Sequence, residues 1–302
     1  MGTRRAPPIS FEAYCREKER AALAAPLSGY TTVLEDAGGV DLLAIGSSWS
    51  RALFDGDFYR SAGSKSPDLP AVTLVHHWPA DDPREEGGPG PLGNATTVHL
   101  IHEGLARVDA DGVLGGVGVV REPDYVASVW HPELVALRLS RGLPRHPVQI
   151  VVSESGNLPF DECLLFNEPS LRVVIVTSRR GADAVGAALR DRPWIRVLDT
   201  GQPLSMRKAL MTLRHEGLAV VAALGGRRVA STLLTEGLVT DLYLTGSDED
   251  GMRPSRDIHD GPPVLHRRVL AKRGHRGSNG ARFEHLVSPA PRSWLPQPSF
   301  LR

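Results

Sequence analysis

The stretch AVVAALGGRRVASTLLTEGLVTDLYL, residues 219–244, decides the fold of this chain. Its first six residues are apolar and run straight into a glycine pair, Gly225-Gly226, which predicts a buried strand that ends in a tight turn. An amphipathic helix pattern follows and ends at Gly237, and the β-rich run LVTDLYL comes directly after it. A strand, a helix and a second strand in this order are typical of a parallel sheet with helices on its faces.

The turn between the first strand and the helix is a candidate phosphate site. The backbone N–H groups of Arg227 to Val229 and the positive end of the helix dipole would converge there. Gly225 and Gly226 would let a ligand approach without meeting a Cβ, and Arg227 and Arg228 add positive charge. A tight strand-to-helix turn that binds no ligand is the alternative interpretation.

Short β-rich runs alternate with helix patterns along most of the chain. Strands are predicted in AVTLVHHW, DGVLGGVGVV, VQIVVS, RVVIVTS and IRVLD, and helices in HPELVALRLSRG, GADAVGAALRD and SMRKALMTLRHEG. We therefore predict an α/β fold over residues 67–287, with a mostly parallel central sheet flanked by helices. Residues 1–66 are predicted to form a helical and mixed extension, residues 288–302 a proline-rich tail, and the glycine- and proline-rich segments 80–97 and 247–263 loops.

Composition excludes several classes of protein. Lys+Arg and Asp+Glu balance at 35 each, so no net field favours nucleic acid or an anionic membrane as a partner. The two cysteines, Cys15 and Cys163, have neither metal-ligand nor disulfide-framework spacing. No run approaches the roughly 20 apolar residues that cross a bilayer, and the N-terminus lacks the apolar core of a secretory signal. We expect a cytoplasmic protein.

One spacing could indicate a metal. His99 and His102 would lie on one face of a helix, with Glu103 beside them. Because neither a nearby cysteine nor an H-E-x-x-H pattern accompanies them, we expect no metal site.

The quoted stretch resembles the C-terminal part of the riboflavin-pathway pyrimidine reductases, a family with a dihydrofolate-reductase-like fold. In that family a glycine pair holds the cofactor diphosphate, and the following strand has the pattern "aGLvDEl". Four further landmarks come in the family's order: PAVTLVHHWPADD (70–82), ARVDADGVLGGVGVVRE (106–122), PRHPVQIVVS (144–153) and VVIVTS (173–178). The resemblance covers roughly residues 69 to 287.

The resemblance implies an NADPH-dependent reductase of a small heterocyclic substrate, similar to the enzyme that reduces 5-amino-6-(5-phosphoribosylamino)uracil. It places the cofactor diphosphate at Gly225, Gly226 and the backbone of Arg227 to Val229, and it places Gly116 and Gly118 near the cofactor. Further candidates fall at strand ends that we assign to the adenosine side, where hydroxyl and guanidinium groups can hold a 2′-phosphate. These candidates are Arg145, Ser153, Thr177, Ser178, Arg179 and Arg180. An ordinary basic loop after a strand is the alternative.

For catalysis, the resemblance points to Asp81, which matches the acidic residue after the family's first core strand. A solvated loop carboxylate is the alternative. Val119, Leu224 and the segment Pro79 to Asp82 depart from the family's pattern, which favours a related substrate over the riboflavin intermediate itself. The family also implies a homodimer. The alternative function is a catalytically silent relative that binds a nucleotide or a protein on the same scaffold.

Overall fold

A computed structural model describes residues 9–24, 30–34, 42–45, 58–61, 66–77, 98–120, 125–224, 226–247, 271–275 and 281–287. The first six strands are β1 (Tyr30–Leu34), β2 (Leu42–Ile45), β3 (Phe58–Ser61), β4 (Ala71–His77), β5 (Gly112–Gly116) and β6 (Val148–Val152). The other six are β7 (Val173–Thr177), β8 (Ile195–Asp199), β9 (Val220–Ala223), β10 (Asp241–Ser247), β11 (Ala271–His275) and β12 (Ala281–Val287).

The helices between the strands are short. The α-helices are α1 (Phe11–Leu23), α2 (Pro132–Ser140), α3 (Leu164–Asn167), α4 (Arg179–Val185), α5 (Met206–His215) and α6 (Arg227–Thr235). A π-helix spans Val98–Arg107 and a 3₁₀-helix spans Val117–Val120. None of the helices within the described residues is long and apolar enough to cross a membrane.

The main sheet has the strand order β1-β11-β12-β10-β4-β9-β5-β6-β7-β8. The seven strands from β10 to β8 pair in parallel. This confirms the predicted fold class, a mostly parallel sheet flanked by helices. Strands β12, β11 and β1 extend the sheet through antiparallel pairs, and β2 pairs with β3 in a sheet of their own.

Part of the N-terminal extension joins this architecture. β1 pairs with β11 at the edge of the main sheet. Helix α1 packs on the same core, because Tyr14 and Ala22 are buried in a cluster with Trp130 and Val151. The predicted loops at 80–97 and the predicted tail at 288–302 lie outside the described residues, as does all of 247–263 after Ser247.

The parallel strands are covered on both faces. On one face α5 and α6 bury apolar side chains against alternate strand residues, such as Leu210 and Leu233 against Leu74 and Leu114. The other face carries α2, the end of the π-helix and the segment that follows the 3₁₀-helix. Two-sided burial explains why the strands are nearly continuous apolar runs rather than alternating ones.

The strand order reverses between β5 and β9. These strands are neighbours, but the chain leaves β5 towards β6 and leaves β9 towards β10, which lies beyond β4. In open α/β sheets, ligands bind at the carboxyl ends of the strands beside such a reversal. We therefore expect a ligand site at the residues that follow Gly116 and Ala223, where β5 and β9 end.

Candidate functional site

The carboxyl end of β9 leads into α6 through a turn that only glycine adopts readily. Leu224 still belongs to the sheet, since its N–H donates to the carbonyl of Leu114 at 2.9 Å. Gly226 has a φ of +84° and precedes the first residue of α6. No described side chain caps this helix end, and a Cβ on Gly226 would meet nothing within 4 Å. The turn therefore presents open space in front of backbone N–H groups and the positive helix end.

Strand β5, which pairs with β9, ends close to this turn. A Cβ on Gly116 would lie 3.2 Å from Cγ2 of Val229, so the glycine lets the first turn of α6 pack against β5. Gly118 differs, because it is exposed in the 3₁₀-helix and has open space around it. The structure thus brings Gly116 against the side chain of Val229, on the turn of α6 that follows Gly226, at the strand reversal.

Other predicted residues at this edge are described only in part. Arg228 is exposed on the first turn of α6. Gly225, Asp81 and the side chain of Arg227 lie outside the described residues. The predicted roles of these three therefore stay predictions.

Ser153 follows β6 at the same edge. Gly116 pairs with Val152, so Ser153 comes one residue beyond the end of β5. The side chain of Ser153 is 2% exposed, and its Oγ has no hydrogen-bond partner among the described residues. Buried hydroxyl groups are rarely left unpaired, because burial without a partner is unfavourable. An unsatisfied polar atom at this position fits a site that binds a polar ligand.

Thr177 and Ser178 use their hydroxyl groups inside the protein. Thr177 Oγ1 donates to the carbonyl of Ser153 at 2.6 Å, and Ser178 Oγ donates to the carbonyl of Glu154 at 2.7 Å. Ser178 Oγ also accepts from the N–H of Gly181 at 3.2 Å and so caps α4. These two hydroxyls hold the backbone of the loop after β6 through hydrogen bonds, so they do not point towards a ligand site.

Arg179 is, with its neighbour Arg180, an exposed cation at the end of β7. Its side chain is 75% exposed, and Nε forms an ion pair with Oδ2 of Asp199 at 2.6 Å. Asp199 ends β8 and accepts from the N–H of Gly201 at 2.9 Å through its other oxygen. Exposed ion pairs of this kind contribute little to stability, so an anionic ligand could compete for the guanidinium.

Arg145 lies at the amino ends of the parallel strands, opposite the carboxyl ends where the glycines lie. It precedes β6, whereas Ser153 follows that strand, so the length of the strand separates them. The guanidinium of Arg145 donates to the carbonyl of Val129 at 2.5 Å and pairs with Glu19 of α1 at 3.1 Å. The structure therefore does not bring Arg145 together with the glycines of the carboxyl edge.

A cavity adjoins the strand reversal on the face opposite α5 and α6. It is a crevice open to solvent, and the space of about 260 Å³ between its walls includes solvent in front of its opening. Its walls come from β5, β6, the segment after the 3₁₀-helix, α3 and the residue after β9, namely Val113, Gly115, Gln149, Ile150, Val151, Tyr125, Ala127, Leu165 and Leu224. The walls are apolar apart from Tyr125 and Gln149. Apolar walls with a few polar groups are common in clefts that bind small molecules.

The sequence interpretation did not include Tyr125 or Gln149 in the site. Gln149 does carry a signal, because it is a polar residue inside the apolar strand VQIVV. Its side-chain amide hydrogen-bonds both the N–H and the carbonyl of Ala127, at 3.0 and 2.8 Å. Tyr125 carries no comparable signal, because the chain contains other tyrosines and no motif surrounds this one.

No group of three or more His, Cys, Asp or Glu side chains that could hold a metal occurs within the described ranges. Glu103, one of the three residues considered for a metal, is fully buried. Its Oε2 accepts from the N–H groups of Trp130 and His131 at 2.8 and 3.0 Å. The carboxylate thus binds backbone.

Comparison with known proteins relates the chain to a reductase family. The model of the RibD C-terminal domain matches residues 95–246. Among solved structures, a pyrimidine reductase-like protein from Corynebacterium diphtheriae is 19% identical with a TM-score of 0.57, over 74% of this chain and 93% of that one. RibD from Acinetobacter baumannii is 15% identical with a TM-score of 0.50, over 74% of this chain and 58% of that one. No curated protein matches the chain.

Proposed function

The chain belongs to the RibD C-terminal domain family, and on that basis we propose that it is an NADPH-dependent reductase of a small heterocyclic substrate of the pyrimidine or pterin kind. The observation that carries the proposal is the uncapped amino end of α6, which Gly226 opens at the reversal of strand order. A helix amino end with open space in front of it binds phosphate groups well.

The residues present fit a dinucleotide. We assign the diphosphate to Gly225, Gly226 and the N–H groups of Arg227 to Val229. Gly116 keeps β5 close to that turn, and the unpaired Oγ of Ser153 is available to a ribose or phosphate oxygen. When bound, NADPH supplies the hydride for the reduction.

The exposed guanidinium of Arg179 supports the choice of NADPH over NADH. An arginine can hold a 2′-phosphate through charge-assisted hydrogen bonds, and the ion-pair partner of Arg179 among the described residues is the half-buried carboxylate of Asp199. Arg145 is not part of this assignment, since it lies at the amino ends of the strands and the assigned residues lie at the carboxyl ends.

The substrate is assigned to the cavity beside Leu224 and Gly115, because it adjoins the strand ends assigned to the cofactor. Asp81 remains the candidate for handling the substrate proton, since general acid–base groups of this kind need an ionisable side chain near the reacting atom. We further propose that the protein works as a homodimer in the cytoplasm, and light scattering of the purified protein checks the dimer.

The first experiment titrates the purified protein with NADPH and with NADH and follows nicotinamide fluorescence, alongside a Gly226→Asp variant. The new carboxylate should exclude a diphosphate by steric hindrance and by charge. Gly217→Asp is a matched control. Gly217 also has a positive φ, +94°, and open space for a Cβ, but it lies before β9 at the amino edge.

We expect the wild type and Gly217→Asp to bind NADPH and Gly226→Asp to lose it. Equal loss in both variants would show that backbone strain, not the ligand, explains the effect. A folded wild-type protein that binds neither nucleotide would overturn the reductase proposal and favour a silent relative. With binding established, NADPH oxidation is assayed first with 5-amino-6-(5-phosphoribosylamino)uracil.

A further inference from the structure

The segment 125–131, which we call the cavity wall, is held by side chains from elements distant in sequence. It belongs to no strand, so its backbone groups need other partners. Gln149 bonds both backbone groups of Ala127, and Glu103 accepts from the N–H groups of Trp130 and His131. Arg107 Nη1 donates to the carbonyl of Ser128 at 3.0 Å. Because so many of its backbone groups are bonded to buried side chains, the wall is a fixed part of the core.

The wall contributes Tyr125 and Ala127 to the cavity, opposite Val113 and Gly115 of β5. Arg107 Nη2 donates to the hydroxyl oxygen of Tyr125 at 3.3 Å, which orients the ring. A shift of the wall would therefore change the width of the cavity and the position of one of its few polar groups.

Val126 lies between these two cavity residues, and α1 holds it. The N–H of Val126 donates to the hydroxyl oxygen of Tyr14 at 3.0 Å, and that hydroxyl lies 3.5 Å from the Val126 carbonyl, to which it donates. Tyr14 is only 3% exposed, and its ring meets that of Trp130 edge-on at 5.5 Å. The two partners are 112 residues apart in sequence, so this contact exists only while α1 is docked.

A second contact holds α1 against the same segment. Arg145 pairs with Glu19 of α1 at 3.1 Å while it donates to the carbonyl of Val129 at 2.5 Å. Phe11 packs edge-on against His146, whose Nδ1 is 2.8 Å from Ser128 Oγ. Residues from both halves of helix α1 thus contact the cavity wall or side chains that are bonded to it.

We propose that α1 positions the cavity wall for substrate binding and that Tyr14 is the positioning residue, acting through Val126 on Tyr125 and Ala127. The inference rests on the proposed function, because it assigns the substrate to this cavity. It adds a role for the N-terminal extension, because the described residues that line the cavity all lie after residue 66.

Tyr14→Phe tests the proposal, because it keeps the ring and removes only the hydroxyl. Ser10→Ala is the control: Ser10 caps α1 by accepting from the N–H of Ala13 at 3.2 Å, so its loss weakens the helix without touching the wall. Three quantities are measured: the Kd of NADPH, the Kd of 5-amino-6-(5-phosphoribosylamino)uracil with NADP⁺ present, and hydrogen exchange of the peptide that contains the wall.

For Tyr14→Phe we expect faster exchange of the wall, an unchanged Kd of NADPH and a Kd of the pyrimidine raised about tenfold, because small displacements in a site reduce binding and rate strongly. Ser10→Ala should leave the pyrimidine Kd within about twofold of the wild type. A Tyr14→Phe protein that binds the pyrimidine as the wild type does would overturn the proposal. So would equal weakening in both variants, since that would follow from general loss of stability.

The same measurements distinguish a failure of the proposed function from a failure of the role given to α1. A wild-type protein that binds NADPH but not the pyrimidine would exclude this pyrimidine as the substrate and, with it, the role of Tyr14 in binding it. Wall exchange at the wild-type rate in Tyr14→Phe would then also overturn the anchoring by α1, whereas faster exchange would support it.

Discussion

The guanidinium of Arg145 lies over the ring of Trp130, 5.3 Å from its centroid, while one of its nitrogens donates to the carbonyl of Val129. Both contacts are made at the amino end of β6. A cation over an indole ring contributes roughly 0.5–2 kcal/mol, and a hydrogen bond from a charged donor contributes a similar amount. Arg145 therefore stabilises the fold through contacts at the end of β6 opposite the proposed cofactor site.

Replacing Arg145 with glutamine should destabilise the protein by about 1–3 kcal/mol and leave the Kd of NADPH within about twofold of the wild type. Urea unfolding measures the first quantity and a nucleotide titration the second. A tenfold loss of NADPH affinity with unchanged stability would contradict the placement of this side chain.

Arg179 should behave in the opposite way. Because its guanidinium is exposed and forms a surface ion pair with Asp199, Arg179→Ala should hardly change stability. It should raise the Kd of NADPH about tenfold and that of NADH less than about twofold, since only NADPH has the 2′-phosphate. Arg172→Ala is the control, because Arg172 is also exposed but precedes β7. Equal losses for both nucleotides would place Arg179 elsewhere on the cofactor.

The contrast between these two arginines shows what the sequence could have predicted. In a parallel sheet, a residue that follows a strand and one that precedes it lie at opposite edges. Arg145 precedes VQIVV and Arg179 follows VVIVT, so the strand direction alone separates them. The strand and helix patterns themselves are local, and they predicted the central sheet and the turn at Gly226 correctly.

Other features depend on contacts that no local pattern records. In the sequence, the hydroxyls of Thr177 and Ser178 look available to a ligand. In the structure they donate to the backbone carbonyls of Ser153 and Glu154, each 24 residues earlier in the chain. The antiparallel strands β11 and β12 were not predicted, because AKRGH and ARFEHLV lack a continuous apolar run. Strand pairing at a sheet edge stabilises such polar segments through partners distant in sequence.

Gly116 should be sensitive to the size of its side chain. A Cβ there would meet Cγ2 of Val229 at 3.2 Å, so Gly116→Val should push the first turn of α6 away from β5. We expect a loss of about 1–3 kcal/mol in stability and weaker NADPH binding. A second substitution, Val229→Ala, makes room and should restore part of both.

Gly186→Val controls for the change of residue type, because Gly186 is exposed at the end of α4 and a Cβ there would come no closer than 3.5 Å to its nearest neighbour, the carbonyl oxygen of Asp183. It should leave stability and NADPH affinity near the wild-type values. If Val229→Ala restores nothing to Gly116→Val, the close approach between β5 and α6 does not explain the effect.

The stability of the fold should depend on pH through His146. Burial, together with the nearby positive charges of Arg145 and Arg138, lowers the pKa of His146 to about 4 from its ordinary value of 6.5. Between these values the unfolded chain binds a proton that the folded protein does not, so the free energy of unfolding falls as the pH falls from 6.5 towards 4. From pH 7 to pH 5 we expect a loss of about 1–2 kcal/mol from this residue, allowing for its partial exposure.

Urea unfolding at pH 7, 6 and 5 measures this loss in the wild type and in His146→Gln. Glutamine can still hydrogen-bond the hydroxyl of Ser128, which lies 2.8 Å from Nδ1 in the wild type, but it does not titrate. The variant should therefore lose less stability than the wild type over this range, even if it is less stable at pH 7. The same pH dependence in both proteins would show that His146 is not protonated preferentially in the unfolded chain, because the remaining titratable groups would then account for the whole slope.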